Sequence, residues 1–358
     1  MIYNKAHNNG FQKGRSEMGK RTRVVMVGCG GISGAWLNPL STMPSVEVVG
    51  LVDLREEAAQ ARREEFRLDG ARTGSDLRAM LKLTRPEVVC NCTLPEAHLD
   101  VTLEALRQGC HVFGEKPLAD SMENARRMVA AARKAQRLFA VMQNRRYDVR
   151  IRAFHTLLAS GKLGDLQTLY SDFLIGAHFG GFRDHMRHVL LLDMAIHTFD
   201  AARFIAGADA LRVTCKEWNP QGSWYDRDAS ALAVFEMSDG RVYSYRGSWC
   251  AEGLNTTWEC DWRAIGSRGG ATWNGADAFR AQRVTGREGF FRPVSDVPVP
   301  ISKRAKTGGH AGCIADLFAC LRAGREPETV CTDNIKSLAM VFGAIESAET
   351  ERPVKLSV

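Results

Sequence analysis

The first part of the chain alternates short apolar runs with longer stretches in which apolar and charged positions follow a helical period. The runs are RVVMVG, VEVVGLVD, PEVVCNCT, HVFGE and LFAVMQ, and they lie between Arg23 and Gln143. Strands that are apolar throughout are buried on both faces, and strands that alternate with helices pair in parallel. The pattern therefore predicts an α/β domain with a doubly wound parallel sheet over residues 23–145.

From residue 146 onward, strand-like runs follow one another without intervening helices. They are LRVTCKEW, ASALAVFEM, RVYSYRGSW and TTWECDWRAIG, and one long apolar helix, HVLLLDMAIHTFDAARFIAG, precedes them. Consecutive strands of this kind favour a mainly antiparallel sheet with one exposed face. We expect residues 146–358 to form an α+β C-terminal domain that ends in two helices, near 309–323 and 332–349.

The formal net charge of +7 is concentrated at the N-terminus. Residues 1–23 contain six basic side chains and one acidic one, a net +5, which leaves +2 for the remaining 335 residues. Because the rest of the chain is nearly neutral, there is little reason to expect nucleic acid as a partner. Residues 1–22 contain no apolar core of a secretion signal and are interpreted as a disordered tail or a tag remnant.

The sequence also disfavours two further classes of protein, membrane-spanning proteins and proteins built around zinc or disulfides. No apolar stretch approaches the roughly 20 residues of a membrane span, so we expect no membrane partner. The ten cysteines are scattered, with neither a CxxC pair nor the Cys/His spacing of a zinc site. This pattern predicts free thiols in the cytoplasm and no metal centre.

The segment VVMVGCGGISGAW carries the spacing of a dinucleotide-binding turn. Gly28 and Gly30 stand where the G-x-G-x-x-G pattern needs backbone freedom and close approach to a pyrophosphate, and Ser33 takes the third position. That third position mainly requires a small side chain. A glycine pattern alone is weak evidence, but this one follows a predicted strand and opens a predicted helix.

Asp53 ends the next strand, 23 residues after Gly30. That spacing fits an acid that accepts the ribose 2′-hydroxyl, and its charge would repel a 2′-phosphate, so NAD is favoured over NADP. Arg55 keeps NADP open as the less favoured cofactor. A helix cap is the structural alternative for Asp53.

A dehydrogenase also needs a base beside the reacting carbon. Asp193 and His197 lie four residues apart on the long apolar helix, and so share one face of it. An aspartate that fixes an imidazole makes a base suited to neutral pH, although a purely structural pair explains the spacing equally well. Lys116 follows the strand HVFGE, and ligands bind where such strands end. There a lysine can stabilise an alkoxide, with Pro117 holding it through a trans or a cis bond.

Taken together, VGCGGIS, GLVD, NCTLPEAHLDVTLEAL, GCHVFGEKPLA and LLLDMAIHTFD resemble the glucose–fructose oxidoreductase / inositol dehydrogenase family. The resemblance covers the chain from Arg23 to the C-terminal ESAETERPVKL. It implies a Rossmann domain, followed by a substrate-binding and oligomerisation domain with a large open antiparallel sheet. It also implies a homodimer or homotetramer formed through that sheet.

The resemblance assigns roles to particular residues. Lys116, Asp193 and His197 match the family's catalytic positions, with His197 as acid/base. The expected cofactor-binding residues are Gly28, Gly30, Gly31, Ile32, Ser33, Asp53, Leu54, Arg55, Thr93, Leu94, Pro95, His98, Glu115, Lys116 and Asn144. The expected substrate-binding residues are Lys116, Arg146, His178, Arg183, Asp193 and His197, and no metal is expected.

The substrates implied by the resemblance are sugars, inositols and their derivatives. Tryptophan-rich segments such as EWNPQGSWYDRD suit stacking on a sugar, and sheet packing explains them at least as well. The expected activity is NAD-dependent oxidation of a secondary alcohol. One alternative is an NAD-dependent glycosidase that works by transient oxidation and elimination. Another is a non-catalytic sugar or nucleotide sensor, which has no need of a base.

Overall fold

The computed structural model describes residues 21–301 and 308–358. Most of the predicted tail therefore lies outside the described residues. Thr22, which the sequence assigned to that tail, is buried and already belongs to the first strand.

The elements of the first part of the chain follow the predicted alternation. They are β1 (Thr22–Val27), α1 (Ser33–Thr42), β2 (Val46–Val52), α2 (Glu56–Glu65), β3 (Arg72–Gly74), α3 (Leu77–Thr84), β4 (Val88–Asn91), α4 (His98–Arg107), β5 (His111–Gly114), α5 (Met122–Ala135) and β6 (Phe139–Val141). A 3₁₀ turn, Pro95–Ala97, precedes α4.

The later elements include the predicted run of strands. They are α6 (Val149–Ala159), β7 (Leu166–Leu174), α7 (Phe182–His185), α8 (Ile196–Ala206), β8 (Ala210–Trp218), β9 (Ser230–Met237), β10 (Val242–Ser248), β11 (Asp261–Gly266), β12 (Gly269–Trp273), β13 (Phe279–Val284), β14 (Val294–Asp296), α9 (Gly309–Ala323), α10 (Cys331–Thr350) and β15 (Val354–Lys355). A 3₁₀ turn spans Asn144–Tyr147, and a π-helical segment spans Leu190–Ala195.

The chain divides into two compact units. The first contains the described residues up to Met142 together with His310–Asn334, and the second contains Gln143–Gly309 and Ile335–Val358. The division after Met142 lies close to the predicted boundary. The return of His310–Asn334 to the first unit was not predicted, because a helical pattern does not reveal which sheet the helix covers.

The first unit is built on a six-stranded parallel sheet in the order β3-β2-β1-β4-β5-β6. This is the predicted doubly wound sheet. Phe318 of α9 packs edge-on against Phe113 of β5, with ring centroids 5.3 Å apart. The Val141 amide donates to the Thr329 carbonyl, so the returning segment also extends the β6 edge. These contacts explain why residues 310–334 belong to this unit.

The second unit is built on a nine-stranded sheet in the order β14-β13-β12-β11-β7-β10-β9-β8-β15. Its neighbours are antiparallel except for the parallel pair β7 and β10, so the prediction of a mainly antiparallel sheet is confirmed. In β9 buried and exposed residues alternate, as they do when one face is open. Phe199 of α8 packs on the buried face against Phe235 and Tyr245, at 4.9 and 5.1 Å.

None of the helices in the described ranges has a stretch long and apolar enough to cross a bilayer.

Candidate active site

The turn after β1 requires glycine at its first position. Gly28 has φ +86°, a conformation that L side chains rarely adopt, and an added Cβ would lie 2.5 Å from the Cys92 carbonyl oxygen. Since that oxygen belongs to the backbone that follows β4, a side chain at this position would require the main chain itself to shift. The first glycine of the fingerprint is therefore fixed by the packing of two adjacent strand ends.

The next two glycines leave open space instead. A Cβ built on Gly30 or Gly31 meets nothing within 4 Å. The N-terminus of α1 begins beside this space without a side-chain cap, and its first amides bond back to the carbonyls of the turn. Buried Ser33 donates its hydroxyl to the Gly30 carbonyl at 2.6 Å. Backbone amides, a helix N-terminus and empty space beside two glycines fit a dinucleotide pyrophosphate.

Arg62 supports this turn from α2 and was not identified from the sequence. Its Nε donates to the Cys29 carbonyl at 3.3 Å and its Nη2 to the Gly30 carbonyl at 2.9 Å. These bonds fix two carbonyls of the turn to α2. The sequence offered no signal for this contact, because Arg62 lies 32 residues from Gly30 on an ordinary charged helix.

Asp53 is held at the end of β2 by two backbone amides. Its Oδ2 accepts from Cys29 N at 2.8 Å, and its Oδ1 accepts from Arg55 N at 3.0 Å. The second bond is an i→i+2 contact within the β2–α2 turn and does not cap α2, whose N-cap is Arg55 without a side-chain cap bond. The first ties the carboxylate to the glycine turn, and its contact with a ribose hydroxyl stays a prediction.

Three of the expected cofactor contacts are large apolar side chains that the fold leaves uncovered. Leu54 is 94% exposed, Leu94 is 71% exposed and Ile32 is 40% exposed. They follow β2, β4 and β1, so all lie at the carboxyl edge of the parallel sheet. This edge, where the chain order reverses between β1 and β4, is where doubly wound sheets bind their ligands.

His98 was expected to contact the cofactor, and the structure gives it a supporting position. Its ring is buried, with Nδ1 2.9 Å from the Pro117 carbonyl and Nε2 3.1 Å from the Thr93 carbonyl. Burial lowers the pKa of His98 below its ordinary value. The ring links the loop that contains Thr93 and Pro95 to the Lys116–Pro117 corner.

Lys116 follows β5 and its peptide bond to Pro117 is cis. The neighbouring Glu115 is buried and accepts from Trp36 Nε1 at 2.6 Å and from its neighbour's amide, Lys116 N, at 3.1 Å. His310 Nε2 lies 3.7 Å from the same carboxylate. Burial alone would raise the pKa of Glu115, but the hydrogen bonds from His310 and Trp36 outweigh it and hold the pKa below its usual range. Trp36 and His310 were not identified from the sequence.

In the second unit, Asp193 lies in the π-helical segment and His197 in the first turn of α8. The sequence predicted one continuous α-helix here. A π-helical turn is rare and occurs frequently at functional sites, because it shifts side chains relative to the regular helix. The anchoring of Phe199 on the sheet fixes the start of α8, and with it the backbone of His197.

Asp193 is also bound by an arginine that the sequence assigned to substrate binding. Arg183 Nε donates to Asp193 Oδ2 at 2.8 Å. Its guanidinium carbon lies 5.0 Å from the Phe179 ring centroid and 4.8 Å from that of Phe182. Two glycines, Gly180 and Gly181, both with φ +68°, separate the two phenylalanines.

Arg146, an expected substrate contact, is engaged in the interior of the second unit. Its Nε and Nη2 each lie 2.7 Å from an oxygen of Asp200, which is fully buried. The i,i+3 spacing of Asp200 and Arg203 on the sequence predicts a surface ion pair, and this is wrong, since both side chains are buried. Asn144, an expected cofactor contact, is half-buried in the same 3₁₀ turn. These contacts give Arg146 a structural role, and its contact with substrate stays a prediction.

Arg145, beside these residues, was not singled out in the sequence. It is buried, donates to Thr198 Oγ1 at 3.2 Å and to the Trp258 carbonyl, and lies 3.2 Å from Glu259. The arginine therefore ties the loop before β11 to α8, one residue after His197. Its partners lie up to 114 residues away, so no local pattern could have identified it.

His178 lies exposed on the same loop as Arg183. Its ring stacks on Trp224 with centroids 3.7 Å apart, and its Nε2 lies 2.9 Å from Glu252. Trp249 is buried in edge-on contacts with Phe173 and Phe179, so it packs within the second unit. His178 keeps an exposed edge, so its contact with substrate stays a prediction.

The remaining chemistry is limited. All ten cysteines are free thiols, and nine of them are buried. No group of three or more His, Cys, Asp or Glu side chains in residues 21–301 and 308–358 is arranged to hold a metal ion.

Comparisons with known proteins agree with this geometry. Residues 22–143 match the family model described as "Oxidoreductase family, NAD-binding Rossmann fold", and residues 151–272 match the GFO/IDH/MocA C-terminal domain. D-glucoside 3-dehydrogenase of Escherichia coli K12 is 30% identical over 240 residues, 62% of this chain and 68% of that protein. D-apiose dehydrogenase of Paraburkholderia graminis is 25% identical over 366 residues, 94% of this chain and 90% of that protein.

Solved structures show the same fold. An oxidoreductase from Agrobacterium radiobacter, solved in complex with NAD+, L-tartaric acid and magnesium, superimposes with a TM-score of 0.81 at 19% identity. The match covers 94% of this chain and 98% of that one. The glycine turn, Asp53 and the two matched domains lead to one assignment. The chain is an oxidoreductase that belongs to the GFO/IDH/MocA family, with an NAD-binding Rossmann domain at its N-terminus.

Proposed function

We propose that this enzyme is an NAD-dependent dehydrogenase that oxidises a secondary alcohol of a sugar, a cyclitol or a related derivative. His197 serves as the acid/base, Asp193 supports it, and Lys116 acts in the same reaction. The names of the D-glucoside and D-apiose dehydrogenases, which span much of this chain at 30% and 25% identity, support a sugar-like substrate.

The residues suit that chemistry. When bound, NAD supplies the hydride acceptor. Oxidation of a secondary alcohol removes a hydride from carbon and a proton from oxygen, and neutral His197 accepts the proton. The carboxylate of Asp193 stabilises the imidazolium that forms, and the ammonium of Lys116 stabilises negative charge on the substrate oxygen.

The observation that carries the proposal is the location of Lys116 in the first unit. It leaves β5 at the carboxyl edge of the parallel sheet, the edge at which Gly30 and Asp53 also lie. His98 holds the corner from one side and Glu115 from the other. A lysine whose backbone is held at a nucleotide-binding edge supports a role in the chemistry rather than in surface solvation.

The test is a screen of sugars, inositols and glycosides with NAD and with NADP, in which the absorbance of the reduced nicotinamide is followed. We expect net NADH formation on at least one free sugar or cyclitol, with NAD preferred. His197→Ala should lower kcat by about 10²–10⁴-fold, the usual contribution of a general base. Lys116→Ala should lower kcat as well, and full turnover in both variants would refute the assignment of the site.

The same screen separates the two alternatives. Glycoside cleavage without net NADH formation would favour the glycosidase that works by transient oxidation and elimination. Saturable sugar or nucleotide binding without any turnover would favour the sensor. Titration of NADH fluorescence shows independently whether the first unit binds the cofactor in each variant.

We further propose that the open sheet face pairs with a second copy of this chain, giving a homodimer or a homotetramer. Leu232, Val234 and Ile265 are exposed on that face. Asp261 and Arg263 project from the same face of β11 and form no ion pair within the described ranges. In a twofold arrangement each can meet its opposite charge on the partner. Light scattering should show an oligomer, and Leu232→Lys with Val234→Lys should reduce its size; a wild-type monomer would refute the proposal.

We also infer a reducing compartment such as the cytoplasm. Ten free cysteines, nine of them buried, suit a compartment in which thiols stay reduced. Fractionation of the native cells should recover the enzyme with cytoplasmic markers. Recovery from an oxidising compartment, with the thiols paired, would contradict it.

A further inference from the structure

Asp193 occupies a position where a carboxylate needs a fixed partner. Its side chain is 17% exposed and lies in a π-helical segment surrounded by buried apolar residues. Arg183 provides a charge-assisted hydrogen bond of 2.8 Å from Nε to Oδ2. Such bonds are stronger than those between neutral groups, and an opposite charge at this distance favours the ionised carboxylate.

The guanidinium of Arg183 is itself held in place. Its central carbon lies within 5.0 Å of the ring centroids of both Phe179 and Phe182, which is cation–π distance. Phe179 is anchored in turn by an edge-on contact with Trp249, at 5.1 Å. Arg183 is 33% exposed and Phe182 is 63% exposed, so the guanidinium is held between two partly exposed rings and the Asp193 carboxylate.

The loop geometry explains how both rings reach one guanidinium. Gly180 and Gly181 both have φ +68°, so the chain reverses between Phe179 and Phe182. Side chains other than glycine rarely adopt this conformation, and two in succession make a sharp turn. We call the segment Phe179–Arg183 the arginine clasp. Its last residue, Arg183, contacts Asp193.

We propose that Arg183 is a positioning residue for the dehydrogenase reaction, in which the arginine clasp holds the Asp193 carboxylate correctly oriented for its role beside His197. This inference rests on the proposed function. An Asp193 that turns away no longer stabilises the protonated imidazole, so the proton-transfer step slows. Substrate affinity depends on other contacts and changes little.

Steady-state kinetics with an identified substrate test the inference. We expect Arg183→Ala to lower kcat by about 10–100-fold, with KM changed by less than about threefold, because misplacement of a catalytic group costs up to about 10² in rate. Arg183→Lys keeps the charge without the planar fork and should recover part of kcat. Arg187→Ala, in the same loop but 71% exposed and paired with Glu349, is the matched control and should behave like the wild type.

The outcomes against the inference are specific. A rise in KM at unchanged kcat would make Arg183 a substrate contact, and full activity in Arg183→Ala would remove its role. Loss of activity in Arg183→Lys equal to that in Arg183→Ala would overturn positioning by charge. In all variants the Kd for NADH should stay at the wild-type value.

A thermal double-mutant cycle separates this inference from the proposed function. Arg183→Ala and Asp193→Asn should each lower Tm, and the double variant should be no less stable than the worse single variant, because both remove one interaction. Additive losses in Tm would refute the contact. If the cycle shows coupling while the wild type oxidises no substrate, the contact stands and the proposed function fails.

Discussion

The candidate cofactor edge of the first unit and the region around Asp193 and His197 in the second unit are built in different ways. The cofactor edge is formed largely by backbone: the glycine turn, the start of α1 and the two amides that hold Asp53. In the second unit, the region around Asp193 and His197 is formed by side chains from distant segments. Arg145 alone joins residues 53 and 113 positions away.

This difference determines how each of the two regions responds to substitution. A backbone site tolerates most side-chain substitutions and fails where a conformation or a single charge is lost. A side-chain site fails where one member of a buried pair is removed, since its partner is then left uncompensated. Substitutions in the two units should therefore separate cofactor binding from the stability and catalysis of the second unit.

The largest effect is expected for the buried pair in the second unit. Arg146→Ala leaves Asp200 buried without its bidentate partner and should lower the free energy of unfolding by about 3–5 kcal/mol, measured by urea denaturation. Arg187→Ala removes an exposed pair and should cost about 0–1 kcal/mol. If Arg146→Ala were as stable as the wild type but had a raised KM, the residue would be the substrate contact expected from the sequence.

In the first unit, one charge should decide the cofactor. Asp53→Asn keeps the shape of the side chain and removes its charge, which weakens the bond to a ribose hydroxyl and relieves the repulsion of a 2′-phosphate. Hydrogen bonds to charged groups contribute about 1.5–3 kcal/mol, so the ratio of kcat/KM for NAD over NADP should fall by about 10–100-fold. An unchanged ratio would leave Asp53 with only its structural bonds to the Cys29 and Arg55 amides.

The sequence predicted the first unit better than the second for the same physical reason. Gly28, Ser33 and Asp53 act through conformation and spacing within one βαβ segment, so a local pattern identifies them. Arg62 and His310 support that edge through contacts between elements, and neither has a local signal. In the second unit, Asp193 and His197 were singled out because charged residues are rare on an apolar helix, and their catalytic roles stay a prediction. The π-helical segment and the pairing of Arg146 with Asp200 depend on tertiary packing.

Two glycines of the same turn should separate stability from binding. Gly28→Ala places a Cβ 2.5 Å from the Cys92 carbonyl at φ +86°, and strain of this kind costs about 1–3 kcal/mol, so both Tm and NADH affinity should fall. Gly30→Ala meets no atom of the chain within 4 Å, so its Tm should stay unchanged while NADH binds more weakly. Equal NADH affinity in Gly30→Ala and the wild type would show that the pyrophosphate does not approach there.

The smallest expected effect concerns the protonation of His188 in the second unit. His188 has φ +53° and lies just before the π-helical segment, with Nδ1 2.6 Å from buried Glu217 and Nε2 3.3 Å from Glu349. The hydrogen bond to Glu217 raises the pKa of His188 above 6.5, whereas burial raises the pKa of Glu217 and its bond to His188 opposes that only in part. The folded chain thus binds the His188 proton more tightly than the unfolded chain does.

Stabilisation by His188 is therefore complete below its unfolded pKa of 6.5 and is lost as the pH rises through the higher folded value. His188→Gln should lower Tm more at about pH 6 than at about pH 9, by the equivalent of about 1.4 kcal/mol for each unit of pKa shift. Arg187→Ala, the adjacent control, should show the same small change at both values, because an arginine stays charged throughout. A loss in His188→Gln that is independent of pH, measured by thermal unfolding, would mean that the side chain stabilises the start of the Asp193 segment by packing and neutral hydrogen bonds rather than by its charge.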